Sequence, residues 1–344
     1  MPRPLDVVPE WIESHCVIPD GDDQGEFFHL VPEQLQFVAN HYTVRDDASP
    51  MQRADAFVYR RSQLVRAQKW GKSPLIAAFV CAEGVGPVLF AGWASGGELY
   101  RCSEHGCGCG WVYEYLPGEP MGRPWPTALI QVTATTEDQT DNTYGALRPM
   151  SDKGPLGDVI TRTGEEFIRL PNGGKIEVVT SKATSRLGQR VTFVPQDETG
   201  IWTESNSMVK VARTQRRGLA GMGGRAIETT NAWDPSENSV AQQTYLSRAE
   251  DVCRDFRQPP PDWKWSNLRD RRKILQFNYA GVPWALANLA SIEAEAGELS
   301  ENDPAEAERF FGNRIVAGGG AWMPRGRWEG AWAGAVASES AGWY

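Results

Sequence analysis

The sequence reads as an α/β protein: a mainly parallel central sheet flanked by helices, followed by a small helical subdomain. Three observations predict this. A β-prone run at residues 56–65, carrying Phe57, Val58, Tyr59, Leu64 and Val65, passes through a short polar loop into a helix-like run at 73–82. Two later strand-like runs, 191–194 and 225–232, end in acidic or polar residues and are separated by about one helix, the alternation that builds parallel sheets. Past Asp251 the pattern changes to a linker with Pro259-Pro260-Pro261 and then to helical stretches at roughly 268–279, 283–293 and 304–316. The expected division is therefore 1–250 for the sheet domain and 251–344 for a helical linker or lid with a Gly/Trp-rich tail.

Each intervening element has its own signal. Residues 31–39 have helical spacing that clusters Leu35, Phe37 and Val38 for burial. The apolar run 87–93 is followed by a Cys/Gly segment and a Pro/Gly-rich stretch, so 94–126 reads as an inserted loop or small lobe. Residues 128–133 resume the strand pattern and 137–150 can be helical. The runs 166–170 and 175–180 flank Pro171-Asn172-Gly173-Gly174, a hairpin signal.

With 344 residues, 41% hydrophobic and 23% charged, the chain has an ordinary globular composition. No window approaches the roughly 18 apolar residues of a membrane span, and the N-terminus lacks an apolar signal core, so a soluble intracellular protein is expected. A net charge of -9 restricts nucleic-acid contact to local basic patches. The best is Lys210-Val211-Ala212-Arg213-Thr214-Gln215-Arg216-Arg217, which a solvated helix face explains equally well. Six cysteines are too few and too uneven for a secreted disulfide scaffold. Cys102, His105, Cys107 and Cys109 offer thiolate and imidazole ligands for zinc within eight residues. The spacing is unusual and the loop short, so a reduced surface loop stands beside the zinc reading. Cys16, Cys81 and Cys253 read as small core residues.

The chemistry concentrates at the loop Arg66-Ala67-Gln68-Lys69-Trp70-Gly71-Lys72-Ser73. A phosphate cradle needs inward backbone N–H groups, a lysine for the β- and γ-phosphates and a hydroxyl for Mg²⁺, and Gly71-Lys72-Ser73 supplies the last two at the right spacing. The following helix adds its N-terminal partial positive charge. Arg66 stands where the usual pattern has its first glycine. The run 191–194 ends in Pro195-Gln196-Asp197-Glu198, so that Asp197 can hold the Mg²⁺ shell and Glu198 can orient an attacking water. Thr229, Thr230 and Asn231 end the next strand, where they can sense a γ-phosphate. These residues together point to ATP binding.

The ordered set of Gln34, the 66–73 loop, Ala134-Thr135-Thr136-Glu137-Asp138-Gln139, the Asn172-Gly173 hairpin, Asp197-Glu198-Thr199-Gly200, Thr229-Thr230-Asn231-Ala232 and the Arg309–Arg314 stretch resembles the large terminase subunit of tailed bacteriophages, over about 11–327. In that family the first glycine of the loop is often replaced. The resemblance implies a P-loop NTPase of the additional-strand, catalytic-glutamate class, using ATP and Mg²⁺ to pump double-stranded DNA through a portal into a procapsid in the host cytoplasm. It implies that Lys72 contacts the β/γ-phosphates, that Ser73 and Asp197 hold Mg²⁺, that Glu198 polarises the water and that residues 229–231 couple hydrolysis to movement. Gln34 becomes a candidate adenine or ribose contact, against the alternative of a solvent-facing helix glutamine, while Trp70 can pack on the sheet. An arginine finger is also implied, with Arg186 the leading candidate and Arg190, Arg148 and Arg66 its competitors. The implied partners are a portal protein, a small terminase subunit and further copies of the chain in a ring, expected to be a pentamer. Family members continue into a nuclease domain with clustered carboxylates; the sequence stops at Tyr344, so DNA cutting is not expected of this chain. The cysteine segment is additional to the family pattern. A helicase-like DNA-remodelling ATPase and a non-catalytic nucleotide-binding assembly module are the alternatives.

Overall fold

Strand-forming segments near the N-terminus make only a small ribbon, β1 (Arg3–Pro4) against β2 (Thr43–Val44), with helices α1 (Val7–His15) and α2 (Pro32–His41) between them. A computed structural model describes the chain except for residues 52–54, 134–136, 161, 165–166, 180–188 and 319–344. After the ribbon come β3 (Arg61–Val65) and α3 (Lys72–Val85). The insertion that follows is a small β-lobe of two antiparallel pairs, β4 (Leu89–Trp93) with β7 (Pro120–Arg123) and β5 (Leu99–Arg101) with β6 (Val112–Glu114). Next are β8 (Leu129–Thr133), α4 (Glu137–Asp152), α5 (Leu156–Val159), β9 (Arg162–Thr163), β10 (Phe167–Arg169), β11 (Lys175–Val179) and β12 (Phe193–Gln196). The chain continues through α6 (Met208–Ala220), β13 (Arg225–Thr230), α7 (Val240–Leu246) and β14 (Val252–Phe256), and then through helices α8 (Leu268–Asn278), α9 (Pro283–Ala287), α10 (Leu289–Asn302) and α11 (Pro304–Phe310).

Eight strands form the central sheet in the order β14-β3-β13-β12-β8-β11-β10-β9. The run from β14 to β11 is parallel, and β10 and β9 continue it antiparallel. The predicted mainly parallel sheet is therefore present, and the hairpin around residues 171–174 joins β10 to β11. β14 was not foreseen: the sequence reading put 252–256 beyond the sheet, whereas it hydrogen-bonds in parallel register along β3. Leu35 also departs from expectation, 44% exposed while Phe37 and Val38 are fully buried, because α2 turns only one side to the core. The expected helix at 283–293 is divided at Asn288 between α9 and α10.

The central strands bury polar side chains and pair them. Glu228 on β13 is fully buried and receives Arg216 at 2.5 Å, Thr244 at 2.9 Å and Arg61 at 3.3 Å. On β3, Ser62 bonds the ring of His41 at 2.8 Å, and Gln63 donates to the Ala241 carbonyl at 2.9 Å. Arg216, part of the basic run on α6, is thereby committed to the interior, whereas Lys210 and Arg217 are exposed.

A second buried charge pair fastens α3. Arg225, at the start of β13, donates to Glu83 at 3.1 Å and to the His41 carbonyl at 2.9 Å, with its guanidinium over the rings of Phe57 and Tyr42. Glu83 also accepts from the Tyr42 hydroxyl at 2.9 Å and from the indole of Trp125 at 3.2 Å. One carboxylate thus joins α3, α2, the sheet and the end of the inserted lobe. Burial pushes its pKa up despite the arginine, so an intact set of donors is what allows the charge there. Arg225→Met is expected to destabilise the protein by about 3–5 kcal/mol, because Glu83 is left buried and unpaired. Adding Glu83→Leu should restore much of that loss, as read from urea unfolding midpoints of the two variants.

Candidate nucleotide-phosphate site

Three adjacent strands deliver the predicted residues to one edge of the sheet. β13 lies between β3 and β12, and its register sets Thr230 beside Val65 and Glu228 beside Gln196. The residues just past the strand ends, Arg66, Asp197 and Asn231, therefore emerge side by side in the crevice at the carboxyl edge. Between β3 and α3 the loop bends through left-handed conformations at Lys69 (φ 68°) and Gly71 (φ 95°), and α3 starts at Lys72. Glu198 is also left-handed (φ 55°), an unusual conformation for a residue with a side chain and one that clusters at functional sites.

The Lys72 ammonium is buried within this crevice. It donates to the carbonyls of Arg66 and Ala67, each at 3.2 Å, and to Asn231 Oδ1 at 2.7 Å. The Asn231 amide in turn donates to Glu198 at 3.4 Å, so one asparagine bridges the lysine and the glutamate. Asp197 accepts from Thr229 Oγ1 at 2.6 Å and from the Glu198 N–H at 3.0 Å. Thr230 Oγ1 accepts from the Gly200 N–H at 2.9 Å, tying β13 to the turn that follows Asp197-Glu198. Burial lowers the Lys72 pKa, against the attraction of Glu198 and Asp197. Burial raises that of Glu198, against the attraction of Lys72. Ser73 is half-buried in the first turn of α3, one residue from the ammonium. The set can thus present a cation, a hydroxyl and two adjacent carboxyl groups to a polyphosphate with its divalent ion.

Other loop residues face elsewhere. Arg66 sends its guanidinium away from the crevice, to Glu33 of α2 at 3.2 Å and Asp255 of β14 at 2.8 Å, and stacks it on Trp70. Only its backbone remains in the cradle. Trp70 is fully buried, in keeping with packing on the sheet. The Gln68 N–H donates to the Phe310 carbonyl at 2.8 Å, and the Gln68 carbonyl accepts from Tyr279 Oη at 2.7 Å. Asn313 bonds the carbonyls of Val65 and Arg257. Trp284, 38% exposed, lies so close to Gly71 that a Cβ there would meet its ring at 2.6 Å. The helical region thus rests directly on the 66–73 loop. Sequence reasoning missed these contacts, since nothing in residues 279, 284, 310 or 313 marks them as neighbours of a loop some 200 residues earlier.

Gln34 is fully buried, which removes the solvent-facing reading; its carbonyl oxygen accepts from the Val31 N–H at 3.2 Å while its amide nitrogen has no partner among the described residues. Among the arginines, Arg148 donates to the Gly164 carbonyl at 3.0 Å and stacks on Tyr144. Arg190 is exposed and precedes β12, so the whole strand separates it from Glu198 in the chain. Arg186 lies outside the described residues, as do Ala134, Thr135 and Thr136.

The cysteine segment differs from its expected ligand set. Cys102, Cys107 and Cys109 converge, but the imidazole beside them is His15 of α1, and the four ligand atoms lie within 4.8 Å of one another. His105 instead stacks its ring on Tyr100 at 4.9 Å. The five-residue span from Cys102 carries His105 outward in a tight turn closed by left-handed Gly106.

A mainly parallel sheet in which β13 lies between β3, which leads into the Gly-Lys-Ser helix start, and β12, which Asp197-Glu198 follows, has the architecture of the P-loop NTPase fold. Among solved structures it is similar to the HK97 bacteriophage large terminase, with a TM-score of 0.61 and 18% identity, covering 90% of this chain and 55% of that one. The resemblance read from the sequence thus holds in the fold. The Gene 13 proteins of Mycobacterium phages L5 and D29 are 28% and 24% identical to this chain over 335 residues, covering 89% of it. The chain spans about half the length of these relatives, 51% of each. No family model matches it. Among the described residues no helix is long and apolar enough to cross a membrane.

Two outcomes follow from this geometry. Gly71→Ala must tolerate both a left-handed φ, at about 1–2 kcal/mol, and the Trp284 ring, whereas Gly173→Ala (φ 79°) meets only the first cost because none of the described residues lies within 4 Å of its Cβ. Gly71→Ala is expected to be the more destabilising, and the excess should shrink in a Trp284→Ala background in a double-mutant cycle. The second concerns Glu198, whose folded pKa lies above its ordinary 4.5. Its ionisation therefore costs stability as pH rises through the folded value, and costs nothing below 4.5. Glu198→Gln should stabilise the nucleotide-free protein at pH 7, with the gain disappearing below pH 4.5, as read from denaturation curves across pH.

Proposed function

We propose that this chain is the ATP-hydrolysing motor part of a phage large terminase, which drives double-stranded DNA into a procapsid. The observation that carries the reading is the Lys72–Asn231–Glu198 chain of hydrogen bonds beside Asp197, assembled from three adjacent strand ends of an additional-strand P-loop fold. In this reading ATP enters the crevice and the Lys72 ammonium turns from the loop carbonyls to the β- and γ-phosphates. Ser73 and Asp197 would hold Mg²⁺, which supplies charge neutralisation across the phosphates when bound. Glu198 orients the attacking water and accepts its proton, and a carboxyl group with a raised pKa suits that task. Asn231, released from Lys72 when the ammonium turns, reports phosphate occupancy to β13, in line with the coupling role assigned to residues 229–231. The unpartnered Gln34 amide is compatible with a donor to the base or ribose.

Movement would then pass to the lid. Gln68 is bonded on both sides to Tyr279 and Phe310, and Gly71 lies under Trp284, so a loop that closes on phosphate displaces α8, α9 and α11. The region after β14 is thus the moving lid, and exposed basic residues such as Lys210 and Arg217 are available to DNA phosphates. Arg66 and Arg148 have internal partners, which favours Arg186 as a finger reaching a neighbouring copy in a ring docked on a portal, with a small subunit as further partner and the host cytoplasm as the setting.

The test is Mg²⁺-dependent ATP hydrolysis as a function of protein concentration. Turnover is expected to rise faster than linearly, to fall about 10²–10⁴-fold in Glu198→Gln with nucleotide binding retained, and to vanish in Lys72→Ala. A linear rise would place the finger within the chain. Full turnover in Glu198→Gln would overturn the catalytic assignment, and nucleotide binding without turnover at any concentration would favour a non-catalytic assembly module.

A further inference from the structure

We propose that His15, Cys102, Cys107 and Cys109 form a tetrahedral zinc site that fastens α1 to the inserted β-lobe. Three thiols and one imidazole are the donor set of a closed structural zinc site, and soft sulfur ligands favour zinc over the oxygen-seeking divalent ions. The geometry is built for convergence. Zn–S bonds of about 2.3 Å set tetrahedral edges near 3.8 Å. The four donors fall within 4.8 Å, with Cys102 Sγ 3.3 Å and His15 Nε2 3.4 Å from Cys109 Sγ. A disulfide requires about 2.05 Å between sulfurs and would leave the third thiol and the imidazole without a role.

The surroundings of these donors match those of a metal site. His15 Nδ1 lies 3.0 Å from the Trp11 carbonyl, which can only accept, so the proton sits on Nδ1 and the Nε2 lone pair faces the sulfurs. The Trp111 N–H donates to Cys109 Sγ at 3.4 Å, and the Cys107 N–H donates to the Cys102 carbonyl at 3.2 Å, closing the turn that brings the first two sulfurs together. Trp11 stacks on the His15 ring at 4.6 Å and Trp111 meets its edge at 5.2 Å, fixing the imidazole plane. Trp11 also packs on Gly86, directly after α3. The site therefore braces the far end of the phosphate-loop helix, well away from the nucleotide residues, and its proposed role is structural. It does not depend on the motor reading.

The 344-residue protein purified without added metal is expected to contain about one zinc ion per chain by mass spectrometry. Its Co²⁺-substituted form should give tetrahedral d–d bands with thiolate-to-cobalt charge transfer. That spectrum is decisive without any variant. In competition with a chromogenic chelator, His15→Gln and Cys109→Ser should release the metal at least about tenfold more readily, while His105→Gln should retain it. Substoichiometric zinc, an octahedral cobalt spectrum, a Cys102–Cys109 disulfide in the purified protein, or sensitivity to His105→Gln in place of His15→Gln would each overturn the assignment.

Discussion

A single buried ammonium organises the working edge of this molecule. Lys72 sits where water cannot solvate it, and an unpaired charge in such a place is untenable. The loop carbonyls, Asn231 and the neighbouring carboxyl groups compensate it, and each arrives from a different element. The order of strands β3, β13 and β12 is what makes this possible, since a lysine after one strand and carboxylates after another meet across the strand between them. The bonds within the crevice are those of charged and polar groups held close together, an arrangement that costs stability and suits a site where charge must be handled quickly.

Much of this was legible in the sequence because it is local. The loop that leads into α3 at Lys72 spans only eight residues, and Asp197-Glu198 needs only an apolar strand before it. What was hidden is non-local. Arg66 occupies a motif position, yet its guanidinium belongs to a clamp with Glu33 and Asp255, one of them from a strand whose membership in the sheet the sequence did not reveal. The Val252–Phe256 stretch lacks the continuous apolar run of a buried strand, and it lies at the sheet edge, where alternation weakens. His15 offers the plainest case. Spacing arguments look within a segment, so they paired the cysteines with His105, while the imidazole that reaches them comes from a helix nearly 90 residues earlier. Fold class could be read directly, but side-chain partnerships between distant segments could not.

The helical region after β14 is better understood as part of the loop's environment than as an appendage. Its contacts with Gln68, Val65 and Gly71 involve backbone groups of the cradle itself. Backbone contacts of this kind depend little on the side chains they meet. They respond to the path of the chain between β3 and α3.

Helix α3 is held at both ends by different parts of the sheet, at Lys72 by Asn231 and at Glu83 by Arg225. Both partners lie on β13, one just past its end and the other at its start. Three turns of helix, about 16 Å, are therefore strapped lengthwise to a single strand. Such a helix has little freedom to slide or rotate, so a displacement imposed at its phosphate end has to reappear at the opposite end, where the inserted lobe is attached through Trp125. Helix and strand together make a stiff strut, and the lobe is the part of the molecule that the strut would push.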